Sequence, residues 1–141
     1  MKIKYTPEEL DSLYAALDDI AEGVRLEQIM KTACALVERS AKEKAPKGSG
    51  DLRRSITSEV TRDGDQIVGT VFTPLEYAPY VEYGTGLFAE GGNGRKEVPW
   101  HYKDDEGNWH TTSGMEPQPY MRPALTENRE RILRMFKEDL L

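Results

Sequence analysis

The chain has 141 residues, of which 38% are hydrophobic and 31% are charged, and its formal net charge is −6. This length fits one domain with a modest core, over residues 1–141, and excludes a second independent domain. No apolar run approaches the roughly 18 residues of a membrane span, and the first residues lack the apolar segment of a signal peptide. We therefore expect a soluble chain that is made in the cytoplasm and has no membrane partner.

A first helix is predicted over residues 7–22. Thr6 and Glu9 form a capping box around Pro7, which suits the first helical position. Apolar residues then recur at helical spacing, namely Leu10, Leu13, Tyr14, Leu17 and Ile20.

Gly23 separates this helix from a second one, predicted over residues 25–45. Its apolar stripe comprises Leu26, Ile29, Met30, Ala33, Val37 and Ala41. Cys34, the only cysteine, lies beside that stripe, where a small core residue is a better interpretation than a nucleophile.

A hairpin follows the helices. Pro46 ends the second helix, and a glycine- and serine-rich turn leads into extended chain near Leu52. The β-rich stretches SITSEVT and IVGTVF flank an Asp63-Gly64 turn, which is a strong hairpin signal. Alternate residues from Ile56 to Val60 share one face, so one helix suffices to cover the hairpin.

The stretch YAPYVEYGTG contains Tyr77, Tyr80 and Tyr83. This spacing aligns the three rings on one side of a helical turn, and tyrosine is enriched where protein surfaces meet. Alternatively, the tyrosines close the edge of the sheet, with Tyr77 packed inward and the other two presented outward. The sequence leaves both interpretations open.

An inserted loop over residues 86–114 is longer than a compact domain usually leaves without structure, which predicts a flexible, functional segment. A second hairpin is predicted within it, because Trp100 and Trp109 flank an acidic, glycine-containing turn. The insert has few aliphatic residues to cover these rings. We therefore expect both tryptophans to be exposed or poorly ordered in the free subunit.

The last helix is predicted over about 123–139, because the prolines of GMEPQPYMRPAL exclude a helix or a central strand before it. Its inward residues would be Leu125, Ile132, Phe136 and Leu140. We further hypothesise that four residues dock this helix against the first hairpin, with one of the two large side chains filling a pocket. They are Pro119, Tyr120, Met121 and Pro123.

These elements together predict an α+β fold. An antiparallel sheet of about four strands, within residues 52–120, would pack against a long N-terminal helix, with a C-terminal helix and a long flexible loop.

No pattern of catalytic chemistry is persuasive, so we predict a protein that is not an enzyme and needs no cofactor. GGNGRKE lacks the spacing and the ending of a phosphate-binding loop. His101 and His110 flank an acidic turn, but two histidines on opposite faces of a hairpin are not a ligand set. The adjacent acids 104–106 suit a solvated turn better than a calcium loop.

Charge is distributed in blocks. Residues 31–62 are rich in lysine and arginine, whereas 63–94 contain neither. Lys47, Arg53 and Arg54 could form a solvated face, contact the acidic block of a neighbouring copy, or touch nucleic acid. The last option gives an alternative function, a small nucleic-acid-binding or processing protein using the basic turn Lys47 to Arg54. The acidic total charge and the lack of a nearby stacking platform disfavour it.

Three motifs, APKGSGDLRRSI, YAPYVEYGTG and QPYMRPAL, occur in this order with a hairpin between the first two. They resemble the tailed-bacteriophage neck proteins, also described as tail-completion or head-to-tail joining proteins. The motif positions are Ala45, Pro46, Gly50, Leu52, Arg53, Ser55, Tyr77, Gly84, Thr85, Pro119, Tyr120, Met121, Pro123 and Ala124. The family turn has an acid or threonine ahead of the glycine, whereas this chain has Lys47-Gly48-Ser49. The insert 86–114 is also less typical of the family.

The resemblance implies an α+β subunit without catalytic activity that forms a ring, six-fold in that family, in the virion neck. Its other partners would be the head connector or stopper and the tail terminator or tail-tube proteins, with DNA passing non-specifically. The subunit would occupy the cytoplasm of the infected bacterium before assembly and the virion neck afterwards.

Several residues are expected at the interfaces of such a ring: Lys47, Arg53, Arg54, Tyr80, Glu82, Tyr83, Trp100 and Trp109. The basic ones would face an acidic neighbour, such as the block with Asp63, Asp65, Glu76 and Glu82.

Overall fold

The structure, a computed structural model, describes residues 7–64 and 66–140. It begins with one helix, α1 (Pro7–Lys44), and not with the two that the sequence predicts. A single glycine costs a helix only about 1 kcal/mol, so Gly23 need not end it. Here the glycine provides room, because a Cβ at position 23 would lie 2.7 Å from Nη2 of Arg62 in the hairpin.

The second predicted stripe of α1 is confirmed. Its inward residues Ile29, Ala33, Val37 and Ala41 are buried. Cys34 is buried beside them as a small core residue, and burial, together with the charge of Glu38, raises the pKa of its thiol.

The first predicted stripe can be compared with the structure at one position only, Leu17, which is exposed. Other predicted features lie outside the described residues: Thr6 and Asp65, and the side chains of Glu9, Leu10, Leu13, Tyr14, Ile20 and Asp63.

The chain forms a short helix, α2 (Asp51–Ser55), where the sequence predicts the start of a strand. Gly50 adopts the left-handed conformation with φ +83°, which turns the chain after α1. The turn places Leu52 in the core, where it is buried. The backbone N–H of Asp51 donates to Ser49 Oγ at 3.3 Å, which satisfies one donor at the start of α2.

The predicted first hairpin is confirmed as β1 (Thr57–Asp63) and β2 (Gln66–Phe72), paired antiparallel from Thr57 and Phe72 to Asp63 and Gln66. One face of the hairpin lies on α1. Ser58 on that face donates to Glu38 Oε2 at 2.6 Å. Gly69 allows the close approach, since a Cβ there would lie 2.7 Å from Met30 Sδ.

The other strands are short and form two separate antiparallel pairs. β3 (Thr85–Gly86) pairs with β6 (Gly114–Met115), and β4 (Trp100–Lys103) pairs with β5 (Trp109–Thr112). The α+β class is confirmed, but the strands form three two-stranded sheets, not one sheet of about four. The insert is therefore not a structureless loop. β3 and β6 close its base, and β4 and β5 are the predicted second hairpin.

The last helix, α4 (Met121–Leu140), begins two residues before the predicted start. Pro123 lies in its first turn, where a missing N–H costs no hydrogen bond. α4 packs mainly along α1. Its first residue, Met121, also lines a groove together with Gly69 and Val71 of β2. Lys44 Nζ lies 2.7 Å from Glu127 Oε2 between the two helices.

Two of the predicted inward residues of α4, Ile132 and Phe136, are partly buried. Leu125 is 57% exposed, contrary to prediction, because it borders an open groove between α1, β2 and α4. The side chain of Leu140 lies outside the described residues. Within 7–64 and 66–140, no helix is long and apolar enough to cross a membrane.

Candidate assembly surface

The three clustered tyrosines lie on the outer side of a short helix, α3 (Ala78–Tyr83). Tyr77 precedes the helix and is 44% exposed, and Tyr80 is 60% exposed. Ala78 and Glu82, four residues apart, form the opposite side and are buried. The alignment of the tyrosines is confirmed, but the inward packing of Tyr77 is wrong. The small side chain of Ala78 occupies the core side instead.

Glu82 is a buried carboxylate, only 4% exposed, that caps α4 across the fold. Its Oε2 accepts the backbone N–H groups of Tyr120 at 2.8 Å and Met121 at 3.0 Å, and its Oε1 accepts that of Arg122 at 3.1 Å. These are donors that the start of a helix leaves without partners. The carboxylate of Glu82, which the sequence assigns to an interface, is therefore turned into its own subunit.

The pKa of Glu82 reflects this environment. Burial raises it, but the hydrogen bonds from Tyr120, Met121 and Arg122 together hold the pKa below the ordinary value of a glutamate. The carboxylate is thus stabilised in its charged form at the start of α4.

Arg122 extends this network to the insert. Its Nε donates to Glu82 Oε1 at 2.9 Å, and its two terminal nitrogens donate to the carboxylate of Glu90 at 2.9 and 2.8 Å. Its guanidinium lies 4.7 Å from the centre of the Tyr83 ring. The hydrogen bond from Arg122 lowers the pKa of Glu90. The network holds α3, α4 and the single turn Glu90–Gly92 in fixed relation.

Tyr120 packs beneath this network and is 1% exposed. Its hydroxyl donates to the carbonyl of Ala78 at 3.4 Å, and burial raises its pKa to about 12. Of the two residues predicted to fill a pocket, Tyr120 and Met121, Tyr120 is the fully buried one. Its neighbours in the core are Val37, Ala41, Ala45, Leu52, Ile56, Ala78 and Ala124.

An aromatic groove of about 740 Å³ opens beside α3, and its lining includes Tyr80, Tyr83 and Trp100. Glycines shape it, because a Cβ at Gly94 would lie 2.6 Å from the Cβ of Ala89. Trp100 is partly buried in the wall, with the guanidinium of Arg95 at 5.2 Å from its ring. The expectation that both tryptophans are exposed holds for Trp109, which is 72% exposed, and is wrong for Trp100.

The hairpin β4–β5 ends in an acidic tip, which we define as Asp104–Asn108. Asp104 accepts the backbone N–H of Asn108 at 2.8 Å, and its Oδ2 lies 2.7 Å from His110 Nε2. The hydrogen bond with His110 lowers the pKa of Asp104. These contacts fix the tip, while Asp105 and Glu106 remain exposed.

The two histidines of this hairpin do not form a metal site together. His101 is opposite Thr111 and His110 is opposite Tyr102, so the histidines project from opposite faces. Among the residues that the structure describes, no group of three or more His, Cys, Asp or Glu side chains could hold a metal ion.

The basic residues separate into two settings. Arg54 is exposed and lies 2.5 Å from Asp51 Oδ1. Lys47 and Arg53 instead line a basic groove of about 620 Å³ beside the end of α1. The structure thus brings two of the three predicted basic residues together and leaves the third outside.

The basic groove contains charges of both signs. Its further lining residues are Glu38, Arg39, Lys42 and Glu43. Within α1, Lys42 pairs with Glu38 at 2.7 Å and Arg39 pairs with Glu43 at 3.2 Å. Lys47 and Arg53 form no ion pair with any described residue, and the Nε of Arg53 is buried without a hydrogen-bond partner there.

The fold combines helices packed on small sheets with open grooves and exposed aromatic side chains. The model of the family described as "Bacteriophage HK97-gp10, putative tail-component" matches residues 11–84, which is more than half of the chain. The chain belongs to this family of phage tail components, and the phage resemblance of its motifs is confirmed. No curated protein and no solved structure matches it.

The family match covers α1, α2, the first hairpin and α3, and it ends at Gly84, immediately before the insert. As a phage tail component, the protein has a structural role in the virion and contacts other phage structural proteins. The insert and α4 lie outside the match.

Sequence reasoning missed the capping role of Glu82 and both Arg122 and Glu90. One signal was present: Ala78 and Glu82 are four residues apart, on the side of the helical turn that faces away from the tyrosines. No local pattern pairs Arg122 with Glu90, because the two residues are 32 positions apart.

Proposed function

We propose that this chain is a non-enzymatic, ring-forming subunit of the phage neck or tail end, which completes the tail or joins it to the DNA-filled head. The observation that carries the proposal is the tyrosine face, which we define as Tyr77, Tyr80 and Tyr83. Three aromatic side chains project together from a helix that is too short to be stable alone.

The tyrosine face is held rigid from behind. Glu82 and Arg122 connect α3 to α4 and to the turn at Glu90 through hydrogen bonds of 2.8 to 3.1 Å. A surface ordered before binding loses less conformational entropy when a partner docks. Such rigidity suits an interface between repeated copies.

Two further large apolar side chains, Leu87 and Phe88, are exposed at the start of the insert. A concentration of exposed apolar side chains is typical of an interaction site. The aromatic groove shares Tyr80 and Tyr83 with the tyrosine face, so the two form one interaction surface. A ring subunit would present such a surface to one neighbour and a second surface to the other.

The partners follow from this proposal. Each copy would contact two others in the ring, six-fold by the resemblance of its motifs. Above and below would lie the head connector or stopper and the tail terminator or tail-tube proteins. DNA would pass through the channel non-specifically.

The alternative, nucleic-acid binding through Lys47 to Arg54, is less well supported. Arg54 is paired with Asp51, and the groove around Arg53 also contains Glu38 and Glu43, which repel phosphate. A DNA-binding assay at increasing salt would detect it, because phosphate contacts give a steep salt dependence.

The test is electron microscopy of particles assembled with and without the chain. Without it we expect filled heads and tails that are not joined, and the wild-type chain supplied separately should restore joining. Joined, infectious particles made without the chain would contradict the proposed function.

A matched pair of variants links this function to the tyrosine face. Tyr80→Ser with Tyr83→Ser should fail to restore joining while the free subunit stays folded. Leu133→Ser, at a similarly exposed side chain on α4, should restore it. Equal behaviour of the two variants would show that the tyrosine face is not the interface.

A further inference from the structure

We propose that the basic groove of one subunit receives the acidic tip, Asp104–Asn108, of a second copy. This inference rests on the proposed function, since it names the contact that joins neighbouring copies. It replaces the acidic partner that the sequence suggests, because Glu82 is committed to capping α4 within its own subunit.

One side chain of the basic groove, Arg53, has a polar atom without a hydrogen-bond partner in the described part of the chain. Buried polar groups in proteins almost always have hydrogen-bond partners, yet the buried Nε of Arg53 has none among the described residues. A carboxylate placed in the groove could bind the terminal nitrogens of the Arg53 guanidinium and offset its charge.

The charges that remain in the groove are positive. Glu38 and Glu43 are paired with Lys42 and Arg39 along α1. Lys47 and Arg53 are left without an ion pair among the residues described. The groove therefore presents two uncompensated positive charges in a space of about 620 Å³, which is large enough for several side chains.

The acidic tip has the complementary properties. Asp104 is held by Asn108 and His110, whereas Asp105 and Glu106 are exposed and form no ion pair with a described residue. The strand pairing from Trp100 and Thr112 to Lys103 and Trp109 supports the tip. The tip thus presents two uncompensated negative charges on an ordered projection.

The groove and the tip lie on different elements, so one copy can contact two neighbours in a heterologous arrangement. Each copy gives its tip to one neighbour and its groove to the other, and such contacts close into a ring when the rotation allows. Charge complementarity fixes which surfaces meet and suppresses wrong pairings.

The test uses two charge-reversed variants and native mass spectrometry of the full chain. The groove variant carries Lys47→Glu and Arg53→Glu, and the tip variant carries Asp105→Lys and Glu106→Lys. Each variant alone should assemble on the order of 100-fold more weakly than the wild type, because like charges then meet.

Mixing the two variants should restore assembly, in rings that alternate the two chains. In such a mixture, every groove meets a tip of opposite charge. Arg134→Glu and Glu76→Lys are matched controls at exposed positions on α4 and between β2 and α3, and both should assemble like the wild type.

The outcomes separate this contact from the proposed function. The proposed contact would be overturned if the charge-reversed variants assembled like the wild type, or if mixing them did not restore assembly. Neither result would contradict the proposed ring itself. Loss of binding to a DNA duplex by the groove variant, with assembly unchanged, would make the groove a DNA site and also overturn it. A wild type that stays monomeric, with particles complete without it, would refute the function itself.

Discussion

Glu82 and Arg53 are two charged residues that the fold carries inward, and they differ in what surrounds them. The carboxylate of Glu82 accepts three backbone N–H groups and the side chain of Arg122. Arg53, in contrast, has a buried Nε with no partner and no counter-ion within the described residues. One site is complete in the single subunit, and the other is not.

This difference separates the residues that build the subunit from those available for assembly. A buried charge that is fully hydrogen-bonded contributes to the fold, and removing its partners leaves several donors unsatisfied. A buried charge without a partner contributes little to the stability of the isolated chain. It is stabilised most when another molecule supplies the missing acceptor. We therefore expect the variants below to act on stability near Glu82 and on assembly near Arg53.

The largest loss of stability is expected from Tyr120→Ala, at the ring beneath the Glu82 network. Removing a fully buried aromatic side chain should lower the free energy of unfolding by about 3–5 kcal/mol. Denaturant titration followed by circular dichroism measures this change. Tyr102→Ala, at an exposed ring of the same type, should cost less than about 1 kcal/mol. Similar losses at both positions would contradict the burial of Tyr120.

The next largest loss is expected from Glu82→Ala, which removes the cap of α4 and leaves Arg122 without one of its two carboxylates. We expect about 3 kcal/mol, because breaking a buried charge network leaves its donors unpaired. Glu76→Ala is the control, since that glutamate is exposed. Wild-type stability in Glu82→Ala would show that the fold does not require the contacts of Glu82 with the start of α4 and with Arg122.

A change of pH is expected to alter the free energy of unfolding less than these substitutions do. The pKa of Glu82 is lowered in the folded state, so its contribution to stability is present above the ordinary glutamate pKa and is lost as pH falls through the folded pKa. The free energy of unfolding should therefore decrease as pH falls below about 5, until Glu82 is protonated in the folded state. Glu82→Gln should show a weaker decrease over this window than Glu76→Gln. Identical dependence of stability on pH in the two variants would argue against a stabilising role of the charged Glu82 carboxylate.

The smallest effect on stability is expected from Arg53→Met. The substitution keeps the apolar stem and removes an unpaired donor, so the free energy of unfolding should change by less than about 1 kcal/mol. Assembly should nevertheless weaken. A loss of stability comparable to that of Glu82→Ala would show that Arg53 has a partner inside the subunit. The contrast between Arg53 and Glu82 would then not hold.

Regular periodicity made much of the fold predictable. The apolar stripe from Leu26 to Ala41 and the turn at Asp63-Gly64 are local signals, and both the helix and the hairpin form where they indicate. The bounds around Gly23 and Pro123 were wrong. A glycine inside a helix and a proline in its first turn cost little, and Glu82, about 40 residues earlier in the chain, caps the start of α4.

The candidate surface was predictable in part. The spacing of the tyrosines anticipates their common direction, and the acidic turn anticipates an exposed hairpin tip. The inward turn of Glu82 depends on backbone donors about 40 residues later, so its neighbours in sequence could not reveal it. The division of Arg53 from Arg54 depends on α2, where a strand was expected.

The most direct test of the central claim is quantitative mass spectrometry of purified, infectious particles, with a known tail protein of the same particle as the internal standard. The account predicts that the chain is present at a fixed, small copy number per particle, equal to one ring. Its absence from complete particles would contradict a structural role in the neck or tail end.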